Sequence, residues 1–420
     1  MIYLVIMLLL LLLAANRAIS GSLLYPPCVY TAVWLVSLTA LVVSGDTFYP
    51  VVPEALLVYL TGAVAFSLGG LVAFTLRSSP LPVPRQPQQI RQTRAVLDMA
   101  LLVVLVGLPF YVRDIMGTFD IFDVRVFAEL RIAAVAESES SERAFSLLRN
   151  LVVLAQFVAM AMHYENDGTR YRKWRSYFAI LLAITYGVLT GSKGPAVTLM
   201  IGLMFVSFIR KQRVSLLTLG WVVGMVFLFF SGGLLLVNYI GIAADLSIDT
   251  FRLVAETVQY YWLSGLVAFN RIVQMPNSLE STQTLGRFFL ETANGFGARF
   301  TIPSIHAEFT PVSASQETNI YTIYVSYFKD HGWFGLIIGM SVLGAAVSGV
   351  YRAARTGAPV AVILFASLAT GIVFSFNGEH FVLRLNYYIK MWVFLYLLYK
   401  ILGRLSFRYH QPEAQRLRDA

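Results

Sequence analysis

Long apolar runs recur along the chain, and each approaches the ~20 residues that a helix needs to cross a bilayer. Charged and turn-forming residues separate them. The pattern predicts an all-α, polytopic membrane helix bundle of about eleven transmembrane helices. The predicted spans cover residues 2–15, 26–44, 55–76, 96–112, 149–163, 176–191, 194–209, 214–237, 333–350, 357–376 and 384–402.

The charged residues between the runs predict an orientation. No Lys or Arg precedes the first run, and Arg17 follows it, which is the reverse of a cleaved signal peptide. We therefore predict a retained first helix, with the N-terminus outside (periplasmic) and the C-terminus in the cytoplasm. This orientation places the most basic connections inside, as the positive-inside rule requires. The net charge of +9 then reflects topology, so the partner is membrane lipid and not nucleic acid.

Three regions follow from the spacing of the spans. Residues 1–237 hold spans one to eight, with an outer loop at 113–148 whose sequence favours a helix lying at the membrane interface. Residues 238–332 form a large outer loop domain, where proline and glycine separate short helical pieces. Residues 333–420 hold the last three spans and a cytoplasmic tail.

Several kinds of chemistry are absent from the sequence. The single cysteine, Cys28, excludes an intrachain disulfide and a cysteine-based metal site. There is no glycine-rich phosphate loop and no HExxH motif, so we expect neither a cofactor nor a metal. Asp120 and Asp123 form a DxxD pair that could hold Mg²⁺, although a solvated acidic turn is the favoured interpretation.

Arginine dominates the cations of the predicted outer side. Its planar guanidinium suits bidentate binding of phosphate or carboxylate, so the set indicates an anionic ligand that arrives in the lipid. The alternative is that each arginine pairs with a nearby Asp or Glu. The candidate ligands on the loops are Arg125, Arg131, Arg271, Arg287 and Arg299.

One lysine interrupts the apolar sequence between Ser176 and Phe208. It lies in TGSKGPAV (190–197), where Pro195 and the flanking glycines should break the helix. Two short spans then meet in a turn near the outer surface, and this places Lys193 at the rim. Lys193 either binds an anionic ligand there or extends to the surface without a ligand.

Two further segments carry candidate chemistry. In FNGEHFVLRL, Glu379 and His380 lie at the rim, and Arg384 is one turn into the last span. Arg384 either binds an anion or snorkels to the interface. His380 is a candidate base.

The segment ETNIYTIYVSYFKDHGWFG offers carboxylate, amide and aromatic groups, which are the usual groups that hold sugars. Glu317 is the leading candidate general base, ahead of His380. Asn319, Tyr321 and Tyr324 are the candidate substrate ligands beside it. The alternative is an amphipathic helix that caps the outer domain.

ETNIYTIYVSYFKDHGWFG resembles the segment before a late transmembrane helix in O-antigen and other oligosaccharide repeat-unit polymerases. TGSKGPAV resembles a Ser-Arg-Gly turn in those proteins and in the related O-antigen ligases. This chain carries Lys193 where arginine is commoner, and Thr318 where the ligases tend to have histidine. The second difference favours polymerase over ligase.

The resemblance implies a helical fold like that of the membrane-embedded GT-C glycosyltransferases, in the bacterial inner membrane. It implies that polyprenyl-pyrophosphate-linked oligosaccharide is both donor and acceptor, with a chain-length regulator as a possible partner. A surface polysaccharide would be the product, and lipid pyrophosphate would leave. The alternatives are an O-antigen ligase and a lipid-linked oligosaccharide flippase or other transporter.

Overall fold

The computed structural model describes residues 1–75, 87–116, 147–166, 168–190, 194–211, 214–221, 224, 248–274, 284–302 and 309–402. Over these residues the chain is almost entirely helical. Its elements are α1 (Ile2–Ser20), α2 (Pro26–Val43), α3 (Pro53–Thr75), α4 (Pro87–Met116), α5 (Leu147–Tyr164), α6 (Arg170–Leu189), α7 (Gly194–Lys211), α8 (Ile248–Gln274), α9 (Thr284–Gly295), β1 (Thr310–Pro311), β2 (Glu317–Thr318), α10 (Tyr324–Arg355), α11 (Pro359–Val373) and α12 (Leu385–Tyr396). A π-helical turn at Leu397–Leu402 follows α12.

Six helices among the described residues are long and apolar enough to cross a bilayer: α1, α2, α3, the Arg94–Asp114 part of α4, α7 and α10. Two shorter apolar helices, Asn150–Tyr164 and Pro359–Val373, coincide with further predicted spans. The predicted helical membrane protein is therefore confirmed. Of the predicted span at 214–237, only residues 214–221 and 224 are described.

The predicted break in the apolar run at 176–208 is confirmed. Helix α6 ends at Leu189 and α7 begins at Gly194. The start of α7 is tied to α5, because the Gln156 side chain donates to the carbonyl of Pro195 at 2.9 Å. Gln156 also accepts a hydrogen bond from the Tyr387 hydroxyl at 2.9 Å. Lys193 itself lies outside the described residues.

The chain divides into two compact units. The first comprises Met1–Ser79, Lys211–Ala353 and Leu368–Leu385, and the second Pro80–Arg210, Ala354–Ser367 and Asn386–Ala420. In the second unit, α5 packs between α4 and α6. The Tyr186 hydroxyl of α6 donates to the Val104 carbonyl of α4 at 2.8 Å, which satisfies a polar group inside the apolar packing.

Helices α3 and α10 approach closely within the first unit. A Cβ atom added at Gly69 would lie 1.8 Å from the Ser341 carbonyl oxygen, and one at Gly344 would lie 2.0 Å from that of Phe66. Such close backbone contact is how helices pack where no hydrophobic force drives association. Buried Asn16 adds a polar link from α1, since its amide donates to Thr31 at 3.3 Å and to Ser67 at 3.0 Å.

Helix α8 is longer than the short helical pieces predicted for this part of the chain. Its middle, residues 263–269, is buried throughout, so α8 is packed on all sides there. It contacts both α2 and α3. The Tyr59 hydroxyl of α3 donates to the Leu266 carbonyl at 2.6 Å, and the Trp262 indole donates to Ser37 of α2 at 2.9 Å. The candidate site is built around this helix.

Candidate functional site

The middle of α8 brings together two segments that are far apart in the sequence. The Ser264 hydroxyl donates to Thr318 of β2 at 3.3 Å, and the Tyr260 hydroxyl donates to the Glu317 carbonyl. On the other side, the Asn377 amide donates to the Tyr261 carbonyl at 3.4 Å. The ETNIYT segment and the FNGEHF connection therefore pack against one helix.

The residues next to the two segments are hydrogen-bonded to each other. The backbone N–H of Ile323 donates to the carbonyl of Ser375 at 2.8 Å. Gly265 of α8 lies against both, because a Cβ atom there would be 2.9 Å from the Phe376 carbonyl oxygen and 3.4 Å from the Ile320 side chain. A larger residue at this position would push the segments apart.

Residues 377–383, here called the Glu379 connection, fold around one carboxylate. Glu379 is 5% exposed. One of its oxygens accepts from the backbone N–H of Phe381 at 2.9 Å and from the Tyr327 hydroxyl at 3.2 Å. The other oxygen accepts from the backbone N–H of Leu383 at 2.8 Å. The carboxylate thus fixes the path of the chain from α11 into α12 and joins it to α10.

His380 and Arg384 extend from the Glu379 connection. The His380 ring meets the Phe374 ring edge to face, with 5.7 Å between centroids. Both His380 and Glu379 lie on the stretch of chain between α11 and α12. Burial raises the pKa of Glu379, although hydrogen bonds from backbone N–H groups and Tyr327 oppose that rise. Burial, and then the nearby Arg384 cation, lower the pKa of His380 well below its usual value.

This arrangement supplies a neutral imidazole beside a guanidinium. A neutral histidine can accept a proton, and the cation can bind an anionic group next to it. An anion bound at Arg384 would offset the positive charge and raise the pKa of His380.

Glu317 has a different setting, although it is the predicted leading base. Its side chain is exposed, and β2 pairs antiparallel with β1 through Thr318 and Thr310. Asn319 follows β2 and is half-buried. Both remain accessible to a ligand.

The two predicted tyrosine ligands are buried. Tyr321 and Thr310 share a hydrogen bond of 2.6 Å between their hydroxyls. Tyr324 is fully buried among the rings of Trp34 and Tyr59, and its hydroxyl donates to the Tyr59 carbonyl at 3.2 Å. Both side chains belong to the packing of the first unit, because their rings and hydroxyls are engaged inside it. We therefore leave them out of the substrate-binding surface.

The predicted arginine ligands differ in burial and in their hydrogen-bond partners. Arg271 is half-buried and donates to the Phe309 carbonyl at 3.3 Å and to Thr310 at 3.4 Å. Arg287 is buried and forms an ion pair with Glu291 at 2.7 Å. For Arg287 the structure therefore agrees with the alternative that each arginine pairs with a nearby acidic residue. Arg299 is exposed. Arg125 and Arg131 lie outside the described residues, as do Asp120 and Asp123.

The sequence does not indicate that Glu379 is buried or that the Tyr327 hydroxyl donates to its carboxylate. The one local signal is the Asn-Gly pair before Glu379, which marks a turn. Gly378 has a φ of 146°, a conformation that side-chain-bearing residues avoid. Among the described residues, no three His, Cys, Asp or Glu side chains group as a metal site.

Comparisons with protein-family models, curated proteins and solved structures return no significant match.

Proposed function

We propose that this protein is a membrane glycosyltransferase that polymerises polyprenyl-pyrophosphate-linked oligosaccharide repeat units into a surface polysaccharide. The observation that carries the proposal is the meeting of the ETNIYT segment and the Glu379 connection on α8. It places a neutral histidine and an arginine on the same membrane-embedded scaffold as an accessible carboxylate. The resemblance of the ETNIYT segment to repeat-unit polymerases supplies the substrate class.

In this proposal His380 accepts the proton. An acceptor sugar hydroxyl attacks the anomeric carbon of the donor glycan and forms the new glycosidic C–O bond. The bond from that carbon to the pyrophosphate oxygen breaks, and its electron pair leaves with the lipid pyrophosphate. The acceptor proton passes to the imidazole of His380, which Glu379 holds in place.

Cations stabilise the departing diphosphate. Arg384 is the nearest candidate to His380, and preorganised positive charge needs no metal to act on a phosphate. Lys193, Arg125 and Arg131 complete the proposed set. Arg287 is not part of it, because Glu291 already neutralises its charge.

Glu317 and Asn319 hold the sugar in this proposal. Both are accessible, and their hydrogen-bonding groups suit hydroxyls. The catalytic face is periplasmic, the protein spans the bacterial inner membrane about eleven times, and the bundle is of the GT-C kind. These finer features follow from the charge pattern and the resemblance.

The test uses the purified protein in lipid vesicles with polyprenyl-pyrophosphate oligosaccharide and without nucleotide sugar. We expect a ladder of glycans that grows by whole repeat units. Movement of the lipid across the bilayer without lengthening would replace the proposal with a flippase. Transfer of a preformed glycan to a second lipid acceptor, without a ladder, would replace it with a ligase.

A further inference from the structure

Helix α9 and the loop that follows it expose large aromatic side chains. Phe289 is 68% exposed, Phe296 90% and Phe300 53%. With 12 residues, α9 is too short to cross a bilayer. Phe289 lies in α9, whereas Phe296 and Phe300 lie on the loop that follows it. An apolar patch of this kind on a short amphipathic segment is typical of a surface that meets a membrane.

Several backbone groups of the loop at 294–300 are hydrogen-bonded within the segment. The Asn294 side chain donates to the carbonyl of Phe300 at 2.8 Å and accepts from its N–H at 2.8 Å. The N–H of Ala298 donates to the Ala293 carbonyl at 3.0 Å. These bonds lower the cost of entering a region with little water, where unpaired backbone groups are costly. The same bonds hold Phe296 and Phe300 on one closed turn.

The charges of this segment fit an interface as well. Arg287 and Glu291 neutralise each other on α9. Arg299 is exposed on the loop, and within the described part of the chain it has no ion-pair partner. A guanidinium beside phenylalanine rings matches the phosphate and acyl layers of a phospholipid monolayer, which lie side by side.

We propose that α9 and the 294–300 loop form a bilayer-interface anchor. Phe289, Phe296 and Phe300 enter the upper acyl region, and Arg299 binds lipid phosphate. A bilayer lies next to this unit, because α10 belongs to the unit and is long and apolar enough to cross a membrane. This proposal does not depend on the glycosyltransferase activity.

The experiment places an environment-sensitive fluorophore (NBD) at Phe296→Cys in the full-length protein, reconstituted in phosphatidylethanolamine–phosphatidylglycerol vesicles. The native Cys28 is 1% exposed, and the unsubstituted protein measures its background labelling. The matched control is Ser315→Cys in the exposed turn between β1 and β2. At position 296 we expect blue-shifted emission and quenching by lipids with a doxyl group high on the acyl chain. Its quenching slope should be about three-fold or more above that at position 315.

Two outcomes would overturn the anchor. Equal quenching at positions 296 and 315 would place the loop in water. A blue shift without doxyl quenching would mean that another part of the chain covers the patch. As a second measurement, Arg299→Glu added to Phe296→Cys should reduce the quenching, because a carboxylate is repelled by lipid phosphate. Unchanged quenching would remove Arg299 from the proposal.

Discussion

The Glu379 connection and strand β2 each bring one carboxylate to α8, and they hold it in opposite ways. Glu379 is buried, and its two oxygens accept hydrogen bonds from two backbone N–H groups and a tyrosine. Glu317 is exposed, and its contact with α8 runs through its backbone carbonyl. The Glu379 carboxylate is thus hydrogen-bonded inside the protein, whereas the Glu317 carboxylate is exposed to solvent.

The difference suggests two separate roles, in which Glu379 positions its neighbours and Glu317 contacts the substrate. A buried carboxylate with all these partners has little freedom to reach a substrate, but it fixes the groups next to it, here His380 and Arg384. An exposed carboxylate on a short strand can contact a ligand, and the hydrogen bond from α8 holds its backbone and not its side chain. The following experiments test this division, from the largest expected effect to the smallest.

Glu379→Ala should give the largest loss. It leaves buried N–H groups and the Tyr327 hydroxyl without an acceptor, at about 1–3 kcal/mol for each unsatisfied group. We expect a clear fall in thermal stability in detergent together with loss of glycan lengthening. Glu379→Gln is the control, because it keeps one acceptor oxygen and should fall between wild type and alanine. A fully stable alanine variant would contradict the buried arrangement.

His380→Gln should lower the rate of glycan lengthening by about 10²–10⁴-fold, the usual cost of losing a general base. Glutamine keeps a polar side chain of similar length, so the amount of protein in the membrane should not change. Single-turnover assays on equal amounts of protein would measure the loss. Normal activity in this variant would remove His380 as the base.

Arg384→Gln should shift the acid limb of the kcat/KM profile to higher pH. Arg384 contributes to the lowered pKa of His380, so its removal raises that pKa. The neutral base is then lost at a higher pH as the solution is acidified. Burial is the larger cause and persists, so the limb should stay below the usual histidine value of 6.5. An unmoved limb would place the titrating group elsewhere.

Tyr327→Phe removes one hydroxyl from Glu379 and leaves the ring. The loss of one buried hydrogen bond should cost about 1 kcal/mol in unfolding free energy. Both backbone N–H groups still hold the carboxylate, so lengthening should persist at reduced rate. Thermal unfolding of this variant, alone and combined with each Glu379 variant, would show whether the two stability losses are coupled. Coupling is expected because the two residues are in contact.

Glu317→Gln should have the smallest effect. Amide and carboxylate bind sugar hydroxyls similarly, and surface substitutions usually change stability by less than about 0.5 kcal/mol. Any change should be in KM and not in kcat. If kcat fell 10²-fold or more while His380→Gln remained active, Glu317 would be the base and the comparison would be reversed.

Much of the helical pattern was predictable from local sequence. Paired prolines start α2 at Pro26, and α7 starts at Gly194 and Pro195 after α6 has ended at Leu189. Helix α8 was harder, because Arg252, Glu256 and Arg271 mark its ends as polar while residues 263–269 are buried by contacts with other helices. The local sequence predicts charged faces and turns, but it does not predict which other helices will pack around a segment.

The site was predictable only in part for the same reason. The sequence identified His380 and Arg384, although Arg384 lies in the turn before α12 and not one turn inside that helix, as predicted. It could not show that Glu379 is buried, since the hydroxyl that joins it comes from Tyr327, 52 residues away. Nor could it distinguish a packed Tyr324 ring from a sugar-facing one, because aromatic side chains serve both purposes.

Gly332 divides α10 into two lengths. Its backbone, at φ 59° and ψ −148°, interrupts the helix between Tyr327 and the membrane part that follows. The part of α10 that follows the interruption packs against Tyr327, because a Cβ atom at Gly335 would lie 2.5 Å from the Tyr327 carbonyl oxygen and one at Gly339 would lie 2.4 Å from the Tyr327 ring. The bend at Gly332 thus brings the helix back onto the tyrosine whose hydroxyl donates to Glu379. A side chain at position 339 would push this ring away from the carboxylate, so the two glycines set how closely the helix can hold its own tyrosine.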